Sequence, residues 1–175
     1  LSNPELISSW YAKRREIAKS SMPNPGHQAL VDFEENLNEF TLVTQNVDNL
    51  HRRAGSKNII ELHGNIEKNY CIECKKEKEL NQDSEIPPKC THCQGLIRPA
   101  VVWFGELLPT GAMENATSAS KKCDLFLSIG TSAVVYPAAG LPLIAKQSGA
   151  FVIEINTEET EISNFVDETL IGPSG

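Results

Sequence analysis

Cys71, Cys74, Cys90 and Cys93 stand as two C-x-x-C pairs with fifteen residues between them. Each pair offers two thiolates from one tight turn, and two such turns facing each other make a tetrahedral all-sulfur zinc site. Four protein ligands leave no open coordination position, so the expected metal is structural. The competing readings are redox-inert thiols or a disulfide pair. His92, between Cys90 and Cys93, could stand in as a ligand but reads as an exposed residue. A second set of residues with chemical potential is scattered along the chain. Gln45-Asn46-Val47-Asp48, His63, Gly130-Thr131-Ser132 and Asn156-Thr157-Glu158 each lie just past a short apolar run. Histidine titrates at ~6.5 when unperturbed and so suits proton transfer near neutral pH.

The elements that must position these groups are legible in outline. Asn3-Pro4 is a helix start, with Asn as cap and Pro in the first turn. Leu6, Ile7, Trp10, Tyr11, Ile17 and Ala18 recur at helical spacing to about Ser20. Pro23 to Gly26 breaks that helix, and a second is expected from Gly26 to Asn38. Residues 40–44 read as a short buried strand. A short helix over 50–54 ends at Gly55, a glycine C-cap. Residues 58–62 form another strand. A charged, proline-bearing stretch over 75–89 looks like a surface excursion between the cysteine pairs. Residues 99–105 are extended and apolar. Helices are expected over 113–122 and 138–147, strands over 124–129 and 150–155, and a last strand over 169–172. Strands without alternation, separated by helices, indicate a parallel sheet covered on both faces, which is an α/β fold. In such sheets ligands bind beyond the carboxyl ends of the strands, where the polar clusters fall.

Composition bounds the rest. With 175 residues and 40% apolar content the chain can build one real core and a small appended module. A net charge of -7 argues against nucleic acid as main partner, because that binding rests on Lys and Arg neutralising phosphates. No apolar run reaches the ~20 residues needed to span a bilayer, and no signal-peptide pattern follows Leu1. A metal-type cysteine pattern with Cys123 left over suits a reducing compartment, read here as the cytoplasm.

Taken in order, T-Q-N-V-D-N-L-H-x-x-A-G, L-H-G-N, the doubled C-x-x-C, R-P-x-V-V-W-F-G-E and D-L-F-L-S-I-G-T-S resemble the sirtuins, NAD-dependent protein lysine deacylases. The similarity runs from Tyr11 to nearly Gly175. Tyr11 and Arg14, within W-Y-A-K-R-R, resemble the Tyr-x-x-Arg signature of the bacterial and mitochondrial desuccinylase branch. The resemblance implies a Rossmann-like domain with helices on both faces (residues 1–65 and 99–175) interrupted by a zinc ribbon (66–98). It implies that His63 is the general base. Nicotinamide leaves the ribose, the acyl oxygen attacks from the opposite face, and His63 then takes a proton from the ribose 2′-hydroxyl. Free lysine, nicotinamide and O-acyl-ADP-ribose are the implied products. Gln45, Asn46, Val47 and Asp48 match contacts to the nicotinamide riboside. Gly130, Thr131 and Ser132 match the adenosine-side turn, Asn156, Thr157 and Glu158 the adenosine ribose, and Ser174 a residue near adenine. Val101, Trp103, Phe104 and Gly105 match the loop lining the acyl-lysine tunnel, which pairs with substrate backbone as an added strand. Tyr11 and Arg14, three apart on one helix face, match a receptor for acidic acyl tails. Acylated-lysine proteins are the implied partners.

The family's glycine-rich turn, G-A-G-x-S, and its D-F-R segment have no counterpart here, and the sequence contains no G-x-G. That turn would bring a central strand and the helix N-terminus that holds a pyrophosphate. The expectation is therefore a large carboxyl-terminal portion of a sirtuin that binds NAD poorly and turns over little by itself. The alternative is a non-catalytic, zinc-stabilised binding module. A zinc-ribbon nucleic-acid binder fits worse, given the acidic charge and lack of a basic stripe.

Overall fold

The computed structural model describes residues 3–80 and 85–175, so residues 81–84 of the expected surface excursion and Leu1 lie outside the described residues. Helix α1 spans Pro4–Ser20 and is capped by the Asn3 side chain, which accepts from Leu6 N at 3.1 Å. Helix α2 spans Pro25–Asn36. Its cap is a reciprocal pair: the Asn24 side chain accepts from His27 N, and the His27 ring accepts from Asn24 N. His27 thus takes the place that Glu or Gln usually fills in a capping box. Its ring packs on His51, with centroids 4.7 Å apart, so both histidines serve local structure.

Two parallel sheets carry the polar clusters. Strands β1 (Leu42–Thr44) and β2 (Ile59–Glu61) pair in parallel through the short helix α3 (Leu50–Ala54), which ends at Gly55 with φ +123°. Strands β5 (Leu125–Ile129), β6 (Phe151–Asn156) and β7 (Glu168–Ile171) form the second sheet in the order β5-β6-β7. Helix α4 (Ala112–Lys122) sits over both, because Ala112 and Ala116 pack with Leu62, Ala138 and Leu141, flanked by Val43, Ile60 and Phe126. Leu62 is fully buried. Truncating it to Ala would cost about 2–5 kcal/mol and loosen the residue just before His63. The helix expected over 138–147 begins as a 3-10 turn at Ala138–Gly140 and becomes α5 at Leu141–Gln147, where Pro142 starts the α-helix proper.

One side of the β5-β6-β7 sheet is packed: Val152 and Glu154 are buried, and Ala145, Ala150 and Phe126 close that core. The other side shows Leu125, Phe151 and Leu170 exposed at 51%, 47% and 45%, although parallel sheets are usually covered on both sides. No helix among the described residues is long and apolar enough to cross a membrane.

The cysteine-bearing part is an antiparallel ladder of β3 (Gly64–Cys71) and β4 (Ile97–Val101), with an irregularity between Asn65 and Asn69. The ladder straddles both expected module boundaries, 66 and 98. Strand β3 has no apolar alternation, which is why periodicity did not reveal it. Arg15 of α1 pins this ladder to the rest of the chain, donating to Ile66 O at 3.0 Å and Asn69 Oδ1 at 2.7 Å.

Candidate functional site

Each C-x-x-C pair closes a tight turn by the same device. Lys75 N donates to Cys71 O, and Gln94 N donates to Cys90 O. Lys75 and Gln94 both adopt positive φ, 58° and 61°, to bring the chain back. Gly95 is required beside them, since a Cβ there would stand 2.5 Å from Glu73 Cγ and 3.0 Å from Cys71 Sγ. The four sulfurs lie within 4.8 Å of one another. Cys71 Sγ is 3.4 Å from Cys93 Sγ, and Cys74 Sγ is 3.8 Å from Cys90 Sγ. Tetrahedral zinc with ~2.3 Å bonds to sulfur requires sulfurs about 3.8 Å apart, so the set fits a zinc ion. Burial raises the Cys90 thiol, but backbone N–H groups of His92 and Cys93 and the neighbouring sulfurs outweigh it and bring Cys90 down to about 6. Zinc is the metal this donor set fits; His92 is exposed and outside the sulfur cluster.

His63 follows β2 and Leu62. Its Nδ1 lies 3.2 Å from the Gln45 carbonyl. A carbonyl only accepts, so Nδ1 is the donor of this contact, and in the neutral ring the lone pair falls on Nε2. The main chain of the residue is held as well, as Val102 N donates to His63 O at 2.9 Å. Asn65, almost fully buried, donates to Asn49 Oδ1 at 2.9 Å and Glu61 Oε1 at 2.8 Å, and Asn49 donates to Glu67. Burial pushes Glu61 up, but Asn65, Arg52 and Lys68 more than offset it, so its carboxyl sits below the usual range. This polar network holds the turn that presents His63.

The strand-end clusters meet. Gln45 Nε2 donates to Thr131 Oγ1 at 3.3 Å, joining the end of β1 to the end of β5. Asn156 Nδ2 donates to Thr131 O at 2.9 Å, and Gly130 N donates to Ile155 O, joining β5 to β6. Gly130 has φ +61° and nothing within 4 Å of where a Cβ would stand, an open cradle beside exposed Ser132. Asp48 Oδ1 accepts from Leu50 N at 2.9 Å, so this carboxylate caps the turn into α3 with its other oxygen left for a ligand. Val47 O accepts from Ile66 N. Thr157 and Glu158 are exposed just beyond Asn156. Ser174 is exposed, and its carbonyl lies against Gly26 at the start of α2, away from Thr131 in the hydrogen-bond network.

The loop after β4 meets His63 through the Val102 N–His63 O bond and α1 through Trp103. Trp103 is half-buried, while Phe104 is fully exposed and Gly105 has φ +86°. Tyr11 of α1 stacks on Trp103, with centroids 6.1 Å apart. Arg14 lies over the Trp10 ring at 4.7 Å and has no carboxylate partner among the described residues. Burial raises the Tyr11 phenol above its ordinary value, against the pull of Trp103, Arg98 and Arg14. Sequence reasoning passed over Arg98 and Glu106. Their ion pair forms only in the folded loop, and their one trace in the sequence is a shared place in the R-P-x-V-V-W-F-G-E run.

The comparisons match this geometry. A family profile described as Sir2 family covers residues 1–137. The "NAD-dependent protein deacylase" of Aquifex aeolicus is 52% identical over 167 residues, covering 94% of this chain and 70% of the relative. The "NAD-dependent protein deacylase 1" of Archaeoglobus fulgidus is 45% identical over 175 residues, covering 99% of this chain and 71% of the relative. Among solved structures, a Sir2 homolog–NAD complex superposes with a TM-score of 0.94 at 44% identity, over 99% of this chain and 69% of that one. Sir2Tm bound to a propionylated peptide gives 0.91 at 38% identity, over 97% of this chain and 73% of that one.

Proposed function

The chain belongs to the Sir2 family, and we propose that it removes acyl groups from protein lysines with NAD, using His63 as general base. The observation that carries this reading is the fixed imidazole: Nδ1–H is held by the Gln45 carbonyl and Nε2 is left as acceptor. NAD, when bound, supplies an electrophilic ribose carbon and a neighbouring hydroxyl for transfer of the acyl group. Gly130, Thr131 and Ser132 form an open turn with hydroxyls and backbone N–H groups, a donor set that suits the adenosine side. Asn156, Thr157 and Glu158 stand at the end of the next strand, where ribose hydroxyls are bound in this kind of fold. Gln45, Asn46 and Asp48 supply amides and a carboxylate for the nicotinamide riboside, and Val47 provides the backbone between them. Ser174 is assigned to the adenine edge.

His63 Nε2 accepts the proton of the ribose hydroxyl, and the imidazolium is stabilised because Nδ1–H already points at a carbonyl dipole. The loop of Val101, Trp103, Phe104 and Gly105 lines the acyl-lysine tunnel, with Phe104 standing out from the surface where a substrate would cover it. Tyr11 and Arg14 receive acidic tails, so succinyl and malonyl join acetyl among the substrates. Arg14 supports this by having no carboxylate partner among the described residues. Free lysine, nicotinamide and O-acyl-ADP-ribose are the proposed products. A four-cysteine metal set with Cys123 left over supports a reducing compartment, the cytoplasm.

Turnover of acetyl-lysine and succinyl-lysine peptides by the full-length protein with NAD tests the reading. Release of nicotinamide that depends on both acyl peptide and His63 supports it. Nicotinamide release that survives His63→Ala at the normal rate would contradict it.

A further inference from the structure

We propose that Arg98 and Glu106 form a positioning clamp that sets the acyl-lysine loop over His63. The proposal rests on the deacylase reading, and it assigns work to two residues that reading does not use. Arg98 is the second residue of β4, directly after Ile97, which packs against Cys71 and Cys90. Its side chain is only 9% exposed. The guanidinium grips both ends of the loop. One nitrogen, Nη2, donates to Val101 O at 2.7 Å, where the loop leaves β4, and to Glu106 Oε2 at 3.0 Å, where the loop ends; Nη1 donates to Glu106 Oε1. The same Glu106 carboxylate accepts from Trp103 N at 2.9 Å, and Glu106 N donates to Trp103 O at 2.9 Å. Five protein hydrogen bonds thus close residues 101–106 into a ring about one buried cation. A two-pronged guanidinium–carboxylate pair fixes orientation as well as distance, which a lysine would not do.

Two further contacts connect the ring to the chemistry. The Arg98 guanidinium lies 3.4 Å from the centre of the Trp103 ring, and Trp103 in turn stacks with Tyr11. Val102 N, inside the ring, donates to His63 O. The clamp therefore holds Trp103 on the acyl side and the backbone of the proposed base on the other, with its foot beside the sulfur cluster. None of its contacts reaches Gly130–Ser132 or Asn156–Glu158. Loss of the clamp should displace the acyl peptide and leave the dinucleotide side alone.

The experiment compares Arg98→Met, Arg98→Lys and Glu106→Gln in the full-length protein. Zinc content, the KM for acyl peptide, the KM for NAD and the emission of Trp103 are read for each. Because the chain has two tryptophans, the emission is read in a Trp10→Phe background. Arg98→Met is expected to raise the peptide KM about tenfold or more, as small misplacements of a bound group do. Its zinc content and NAD KM stay unchanged, and Trp103 emission shifts to the red with easier quenching by acrylamide. Glu106→Gln, at a more exposed position, reproduces the same pattern more weakly, and Arg98→Lys recovers part of the loss. If Arg98→Met lost zinc or failed to fold, Glu106→Gln would carry the test. A peptide KM and Trp103 emission that stay at their starting values in Glu106→Gln, or a rise in both KM values together, would overturn the clamp. Absence of deacylation in the parent protein would instead count against the deacylase reading, and Trp103 emission would still decide the clamp.

Discussion

The two regions that carry the candidate residues are built on different plans. The cysteine module and its loop are closed by particular side chains: four sulfurs, the Arg98–Glu106 pair, Arg15 on β3 and Tyr11 on Trp103. The β5-β6-β7 side is held by backbone ladders, by amide and hydroxyl bonds at strand ends, and on its packed face by the Lys146–Asp167 pair and the buried Glu154 carboxylate, which accepts from Thr160 and Ser163. One of its faces is packed and the other presents Leu125, Phe151 and Leu170. On the proposed function, the module would locate the acyl chain by fixed side-chain contacts, and the sheet would offer strand ends whose backbone and hydroxyls reach the dinucleotide. Mutations should therefore act sharply at the module and shallowly at the sheet.

The largest effect is expected from Cys90→Ser. A structural zinc site contributes folding energy outright, so metal analysis should fall from near one zinc per chain and the module should become protease-sensitive. Retention of one zinc with unchanged protease resistance would remove the contrast. Next comes His63→Ala, where loss of a general base should slow turnover about 10²–10⁴-fold with the fold intact by circular dichroism. Arg14→Met should cut succinyl-lysine turnover by about 10–100-fold, the worth of a charged hydrogen bond, and leave acetyl-lysine turnover near normal. Equal losses on both would count against the acid-tail receptor. On the sheet side, Asn156→Ala removes two neutral bonds, to Thr131 O and from Thr157 N, and should raise the NAD KM only by about 2–10-fold. A loss as steep as that of His63→Ala would erase the distinction between the two regions.

The smallest effect concerns acid stability. Arg98 holds the Glu106 carboxyl below its ordinary 4.5, and Lys146 with Val152 N holds Asp167 below its ordinary 3.8. A carboxyl whose pKa falls on folding stabilises the fold above its unfolded value, and that contribution is lost as pH drops through the folded value. Thermal melts should thus be flat in these terms above about pH 5 and decline below it. Glu106→Gln should soften the decline, and an unchanged acid limb would show that this pair adds nothing to stability.

The parts of this architecture that a reader of the sequence could find follow from the same contrast. Strands β1, β5 and β6 were visible because a buried parallel strand is an apolar run, and each stops at a polar cluster. The cysteine site was visible because thiol spacing states its own geometry. Strand β3 was hidden because G-N-I-E-K-N-Y-C has no clean alternation: buried Asn65 and Asn69 face polar partners, and the register shifts between them. Arg98 and Glu106 were hidden because the end of β4 and the loop after it must fold before the two charges, eight positions apart, can meet. The capping role of His27 could not be read, since imidazole there replaces the usual acid or amide. The distinction between Arg14 beside Trp10 and Arg98 beside Trp103 also required the fold.

The central claim is that the His63 ring is locked with its proton on Nδ1 and its lone pair on Nε2. Two-bond 15N–1H correlation of histidine-labelled protein near pH 8, with His63 assigned by its absence in His63→Asn, measures this directly. The account predicts the Nδ1–H tautomer for His63. A spectrum showing Nε2–H, or rapid averaging of both tautomers, would contradict it.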